Sequence, residues 1–73
     1  MKYVIIEQSD CEVPVLFPDL VDHSTFSNLN PISAGFVTLL TDQGFVYVHG
    51  ESVSLKLKSR IEDADLIKRM LYH

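Results

Sequence analysis

The sequence predicts an α+β fold: a small antiparallel sheet of about five strands with one C-terminal helix packed on it. A strongly bent, half-barrel-like variant of that sheet fits the same pattern. Three observations carry the prediction. Short β-branched and aromatic runs, separated by turn residues, recur from Lys2 to Lys58. Ser52–Lys58 alternates apolar and polar side chains. Only after Ser59 does the apolar spacing change to a helical period. Strands gathered first and a helix placed last argue for segregated α+β rather than an alternating parallel architecture.

Lys2–Glu7 (KYVIIE) reads as the first strand, closed by the polar stretch Gln8-Ser9-Asp10. Glu12–Phe17 (EVPVLF) is its hairpin partner. Pro14 has no N–H to give to a ladder, so this strand should lie at an edge or turn its missing donor outward. Pro18–Pro31 is the irregular part. Asp22 and Ser24 are candidate N-caps there, and Thr25–Leu29 can form one helical turn that Asn28, Asn30 and Pro31 close. Ile32–Leu40 and Phe45–His49 form the next hairpin around Thr41-Asp42-Gln43-Gly44, with Gly44 supplying positive φ. Phe45–His49 is bulky on both faces, which suggests a central strand. After a turn at Gly50-Glu51, Ser52–Lys58 should turn Val53, Leu55 and Leu57 inward, with Ser52, Ser54, Lys56 and Lys58 wet. Ser59 and Glu62 form a capping-box pattern, S-x-x-E, that starts the helix. Glu62, Asp63 and Asp65 then lie near its positive end, and Lys68 and Arg69 near its negative end. Ile61, Ala64, Ile67 and Leu71 fall on one side and are expected to cover the sheet. Leu66 and Met70 lie off that stripe, either at the core margin or against a partner.

Length and charge narrow the function. Seventy-three residues make one domain, 1–73, and a chain this short buries only roughly 60% of the surface its unfolded form exposes. The residues are 47% apolar and the mean hydropathy is +0.15, too apolar for a disordered chain. That surplus predicts a homodimer or a constitutive protein partner. A net charge of −4 argues against nucleic acid. The basic residues Lys56, Lys58, Arg60, Lys68 and Arg69 are interleaved with Glu62, Asp63 and Asp65. No apolar run has the length of a membrane span, and no signal-peptide pattern opens the chain. Cys11 is the single cysteine, which fits a reducing compartment, so the expected location is the cytoplasm.

Chemistry-bearing residues are few. Asp22-His23-Ser24 holds the residue types of a hydrolase triad, but neighbours in sequence do not converge as a triad must. Turn and cap chemistry is the ordinary reading. Cys11 stands between Asp10 and Glu12, whose charges disfavour a thiolate nucleophile. His49 at a strand end beside Glu51 reads as a solvated surface group. Cys11, His23, His49 and His73 lack the close pairs of a zinc site. Gly35, Gly44 and Gly50 are too dispersed to cradle a phosphate. Tyr3, Phe17, Phe36, Phe45 and Tyr47 lack a basic groove and are read as core. No catalytic, cofactor or metal residues are therefore assigned, and no enzymatic activity is expected.

Val13-Pro14-Val15-Leu16-Phe17-Pro18-Asp19, Ser33-Ala34-Gly35-Phe36-Val37, Gly50-Glu51-Ser52-Val53-Ser54-Leu55 and Ser59–Ile67 together resemble a loose group of small, uncharacterised proteins encoded by bacteriophages and prophages. In that group a proline commonly stands where this chain has Ile61, and it would suit the first helical turn. The resemblance spans most of the chain and implies a phage-related origin, a bacterial host cytoplasm and no known activity. The expected function is a non-enzymatic protein–protein interaction module that binds a host or phage protein. Its expected contact surface is the outer side of the helix, with Leu66 and Met70 rimmed by Asp63, Lys68 and Arg69. The alternative is a nucleic-acid-binding or regulatory module using Lys56, Lys58 and Arg60.

Overall fold

The computed structural model describes residues 1–40 and 44–72, so the expected turn residues Thr41–Gln43 and the terminal His73 lie outside it. Its elements are β1 (Lys2–Gln8), β2 (Cys11–Phe17), a 3-10 helix (His23–Leu29), β3 (Pro31–Leu40), β4 (Phe45–His49), β5 (Glu51–Ser52), β6 (Leu57–Lys58) and α1 (Ile61–Tyr72). The fold is α+β. Four strands form an open antiparallel sheet in the order β2-β1-β3-β4, and β5 and β6 form a separate two-stranded hairpin.

β1 and β2 join through Ser9 and Asp10, with φ of 52° and 65°. Two successive positive-φ residues give the turn whose twist matches that of the strands it connects. β2 lies at an edge, where Pro14 can be tolerated, and Pro14 stands opposite Ile5. β1 is interior and buried on both faces. Tyr3 and Ile5 join Val37 and Ile67 on one side; Val4 and Ile6 join Phe17 and Ala34 on the other. α1 covers the first face. Val21 and Phe26, from the 3-10 helix and its approach, cover the second together with Leu55 and Leu57 of the β5–β6 hairpin.

Three expectations are corrected. β4 is an edge strand, not a central one. Val46 and Val48 pack under α1, whereas Phe45 and Tyr47 stay about half exposed. Bulk on both faces does not distinguish an edge from a centre.

Ser52–Lys58 is not one strand. Ser52 Oγ accepts from Leu55 N at 3.2 Å, Lys56 N donates to Val53 O at 3.3 Å, and Lys56 takes φ 58°. The serine side chain thus competes with a ladder and folds the segment into a tight hairpin. Leu55 and Leu57 still point inward, but Val53 is 83% exposed.

α1 is turned away from its expected stripe. Ile61 is 92% and Leu71 40% exposed, and Asp63 and Ile67 are the buried residues. Its cap also lies one residue later. Ser59 bonds Gly50 O through both N and Oγ, while Arg60 N donates to Asp63 Oδ2 at 2.9 Å. Asp63 therefore makes the back-reaching half of a capping box that the sequence suggested for Glu62.

Candidate interaction surface

The Asp63 carboxylate has no solvent exposure. Tyr3 Oη donates to its Oδ2 at 2.6 Å across 60 residues of sequence. Arg60 Nε donates to Oδ1 at 2.8 Å, and the same guanidinium reaches Glu12 Oε1 on β2 at 2.8 Å. Burial first, and then the bond to the Asp63 carboxylate, push the Tyr3 phenol far above its ordinary range. Burial disfavours the Arg60 charge, but the Glu12 and Asp63 carboxylates outweigh it and raise its pKa. This network ties the start of α1 to β1 and β2. A 12-residue helix is marginal alone, and Ile67 is its one fully buried apolar side chain among the described residues. The network thus docks the start of the helix on the sheet.

The Asp22-His23-Ser24 residues do not converge. Asp22 Oδ1 accepts from Ser24 N at 2.8 Å and Ser54 Oγ at 3.0 Å. The bond from the Ser24 N–H is the main reason its carboxyl lies below the usual range. His23 is buried and turns Nε2 to Gly35 O at 2.9 Å, which requires the proton on that nitrogen. Phe17 and Phe36 stand nearly perpendicular to its ring, at centroid distances of 5.4 and 5.7 Å. It is a core histidine that joins the 3-10 helix to β3. His49 stacks on Phe36 at 5.8 Å, and Cys11 is free and exposed on β2. Among the described residues no group of three His, Cys, Asp or Glu side chains is placed to hold a metal ion.

The expected surface on α1 is not assembled as the sequence suggested. Asp63 is interior, and Leu66 packs against the Tyr3–Ile67 cluster. Met70, Lys68 and Arg69 remain exposed. Asp65, Lys68, Arg69 and Tyr72 line a shallow, open depression of about 300 Å³ on the back of the helix. The alternative basic face loses Arg60, whose guanidinium is occupied by Glu12 and Asp63. Lys56 and Lys58 remain exposed on the small hairpin.

A different surface is left open. The 3-10 helix and the β5–β6 hairpin cover the second face of the sheet over β1, β2 and the start of β3, but not its far corner. There Leu40 pairs with Phe45, Thr38 with Tyr47 and Phe36 with His49. Leu40, Phe45 and Tyr47 are 43%, 47% and 51% exposed, and the two rings lie 6.0 Å apart. No residue of β4 is charged at neutral pH when His49 is neutral. Sequence reading had placed Phe45 and Tyr47 in the core. Their outward parity was visible once Val46 and Val48 were inward, but the missing neighbour beyond β4 was not. No protein-family profile, no curated protein and no solved structure matches the chain. Among the described residues no helix is long and apolar enough to cross a membrane.

Proposed function

We propose that the chain is a non-enzymatic protein–protein interaction module whose contact surface is the Leu40–Phe45–Tyr47 corner of the sheet. The carrying observation is the half-exposure of three large apolar side chains side by side, Phe45 and Tyr47 on the edge strand β4 and Leu40 opposite Phe45 on β3. Contiguous apolar surface of this kind is characteristic of protein contacts, and Tyr and Phe are enriched at their centres. The net charge of −4 and the engagement of Arg60 favour a protein partner over nucleic acid. The resemblance to phage-encoded proteins makes a host or phage protein the expected partner, met in a bacterial cytoplasm.

Affinity capture from host lysate tests the reading, with wild type and Leu40→Glu compared side by side. A polypeptide retained by wild type and lost at least about tenfold by the variant supports it, since a hot-spot side chain is worth about 2 kcal/mol or more. Equal retention by both proteins, or retention by neither, refutes it.

A further inference from the structure

Residues 18–30 cross the second face of the sheet between β2 and β3, and His23 is the only buried residue among them. Val21 and Phe26 are partly buried beside it, and Phe26 leans on Phe17 at 4.5 Å between centroids. The place His23 occupies suits a neutral ring. Its Nε2–H donates to Gly35 O at 2.9 Å, and that is the ring's only hydrogen bond among the described residues. Phe17 and Phe36 supply apolar walls. A proton on Nδ1 would add a second donor and a full charge there, and a buried charge is costly unless it is paired and hydrogen-bonded. Released to water, the same ring takes up a proton at about pH 6.5.

The charged groups on the surrounding elements do not supply the missing pair. β3 carries none from Pro31 to Leu40. β1 brings Lys2, whose Nζ donates to Val21 O at 2.9 Å, and Glu7; β2 brings Glu12, paired with Arg60. The β5–β6 hairpin carries Glu51, Lys56 and Lys58. Asp22 directs its Oδ1 to Ser24 N and Ser54 Oγ, and these bonds hold its carboxyl below the usual range, so it stays ionised in mild acid. His49 of β4 stacks on Phe36 but is exposed, so water can meet its charge. The Met1 amine gains charge as pH falls, and its pair with Asp19 at 3.0 Å then holds the segment more firmly, the opposite sense.

We propose that His23 is an acid-released latch. Protonation of its ring frees residues 18–30 from the sheet and uncovers Val4, Ile6, Phe17 and Ala34. α1 stays docked, because Ile67 and the Tyr3–Asp63–Arg60–Glu12 network hold it on the other face. The latch is independent of the Leu40–Phe45–Tyr47 contact surface. It gives the chain a second apolar surface that opens only in acid.

Amide hydrogen exchange, corrected for the intrinsic effect of pH, reads the release at Val21 and Thr25, whose N–H groups bond Pro18 O and Asp22 O within the segment. One proton taken up by the released ring raises the opening equilibrium roughly tenfold between pH 7.5 and 5.5. Protection of both amides is expected to fall by that factor in wild type, with α1 amides unchanged. His23→Gln keeps an N–H donor for Gly35 O and does not titrate, so its protection should be flat with pH. His49→Gln should follow wild type. The proposal is overturned if wild-type protection stays flat or rises, or if α1 loses protection in step. It is equally overturned if His23→Gln keeps the tenfold fall, or if His49→Gln abolishes it. The wild-type arms need no variant and decide even where His23→Gln does not fold.

Discussion

At the scale of single residues, Tyr3 and Asp63 decide whether the helix stays on the sheet. Tyr3→Phe keeps the ring and removes one charge-assisted hydrogen bond, a loss of about 1.5–3 kcal/mol. Arg60 still holds the carboxylate through its backbone N–H and its guanidinium. The loss depends on pH in a defined sense. The folded-state pKa of Tyr3 lies above the unfolded value of about 10. Its contribution is therefore complete below about pH 10 and disappears as pH rises toward the folded value. Urea titrations from pH 7 to 11 should show the gap between wild type and Tyr3→Phe closing above pH 10. A constant gap would mean that the phenol is not the proton donor to Asp63. None of this pairing was legible in the sequence. An acid in a first helical turn normally faces water, and the partner that draws Asp63 inward lies 60 residues away.

At the scale of elements, the sequence readily revealed β1, β2, β3, β4 and the position of α1, because turn residues bound each one. Pro14 narrowed β2 to an edge or to a strand that turns its missing donor outward, and the edge is what is found. Local side-chain chemistry hid the remainder. Val53, Leu55 and Leu57 alternate as a strand would, yet Ser52 Oγ takes the Leu55 N–H and converts the run into a hairpin. The Leu40–Phe45–Tyr47 surface was hidden for another reason: strand order, which one sequence does not encode locally, determines whether an apolar face is covered. The hairpin yields its own prediction. Lys56 holds φ 58°, a conformation that costs an ordinary residue about 1–2 kcal/mol. Glycine is free of that strain but loses roughly 0.5–1 kcal/mol to its greater unfolded-state freedom. Lys56→Gly should therefore stabilise the protein by about 0.5–1 kcal/mol in thermal unfolding. Destabilisation would show that the lysine side chain matters more to the hairpin than its backbone strain.

At the scale of the whole molecule, the Cα radius of gyration is 11.4 Å, within extents of 33 × 28 × 18 Å. A compact chain of this length is expected near 11 Å, and one twice as long near 15 Å. Small-angle scattering reads the state of the chain in solution: a radius near 11 Å would mark single chains, and one near or above 15 Å self-association. The same architecture places a demand on synthesis. β1, the strand buried on both faces, is made first, whereas Asp63 arrives 60 residues later. At about 5–20 residues per second on the ribosome, Tyr3 waits roughly 3–12 s for its acceptor. The β1–β2 hairpin can close in about 1–10 μs, and the 3-10 helix and β3 are made before α1, so the face of β1 that carries Tyr3 and Ile5 is the one left bare until the helix arrives. The span over which that face is open to capture by other nascent chains is thus set by the speed of translation rather than by the folding barrier.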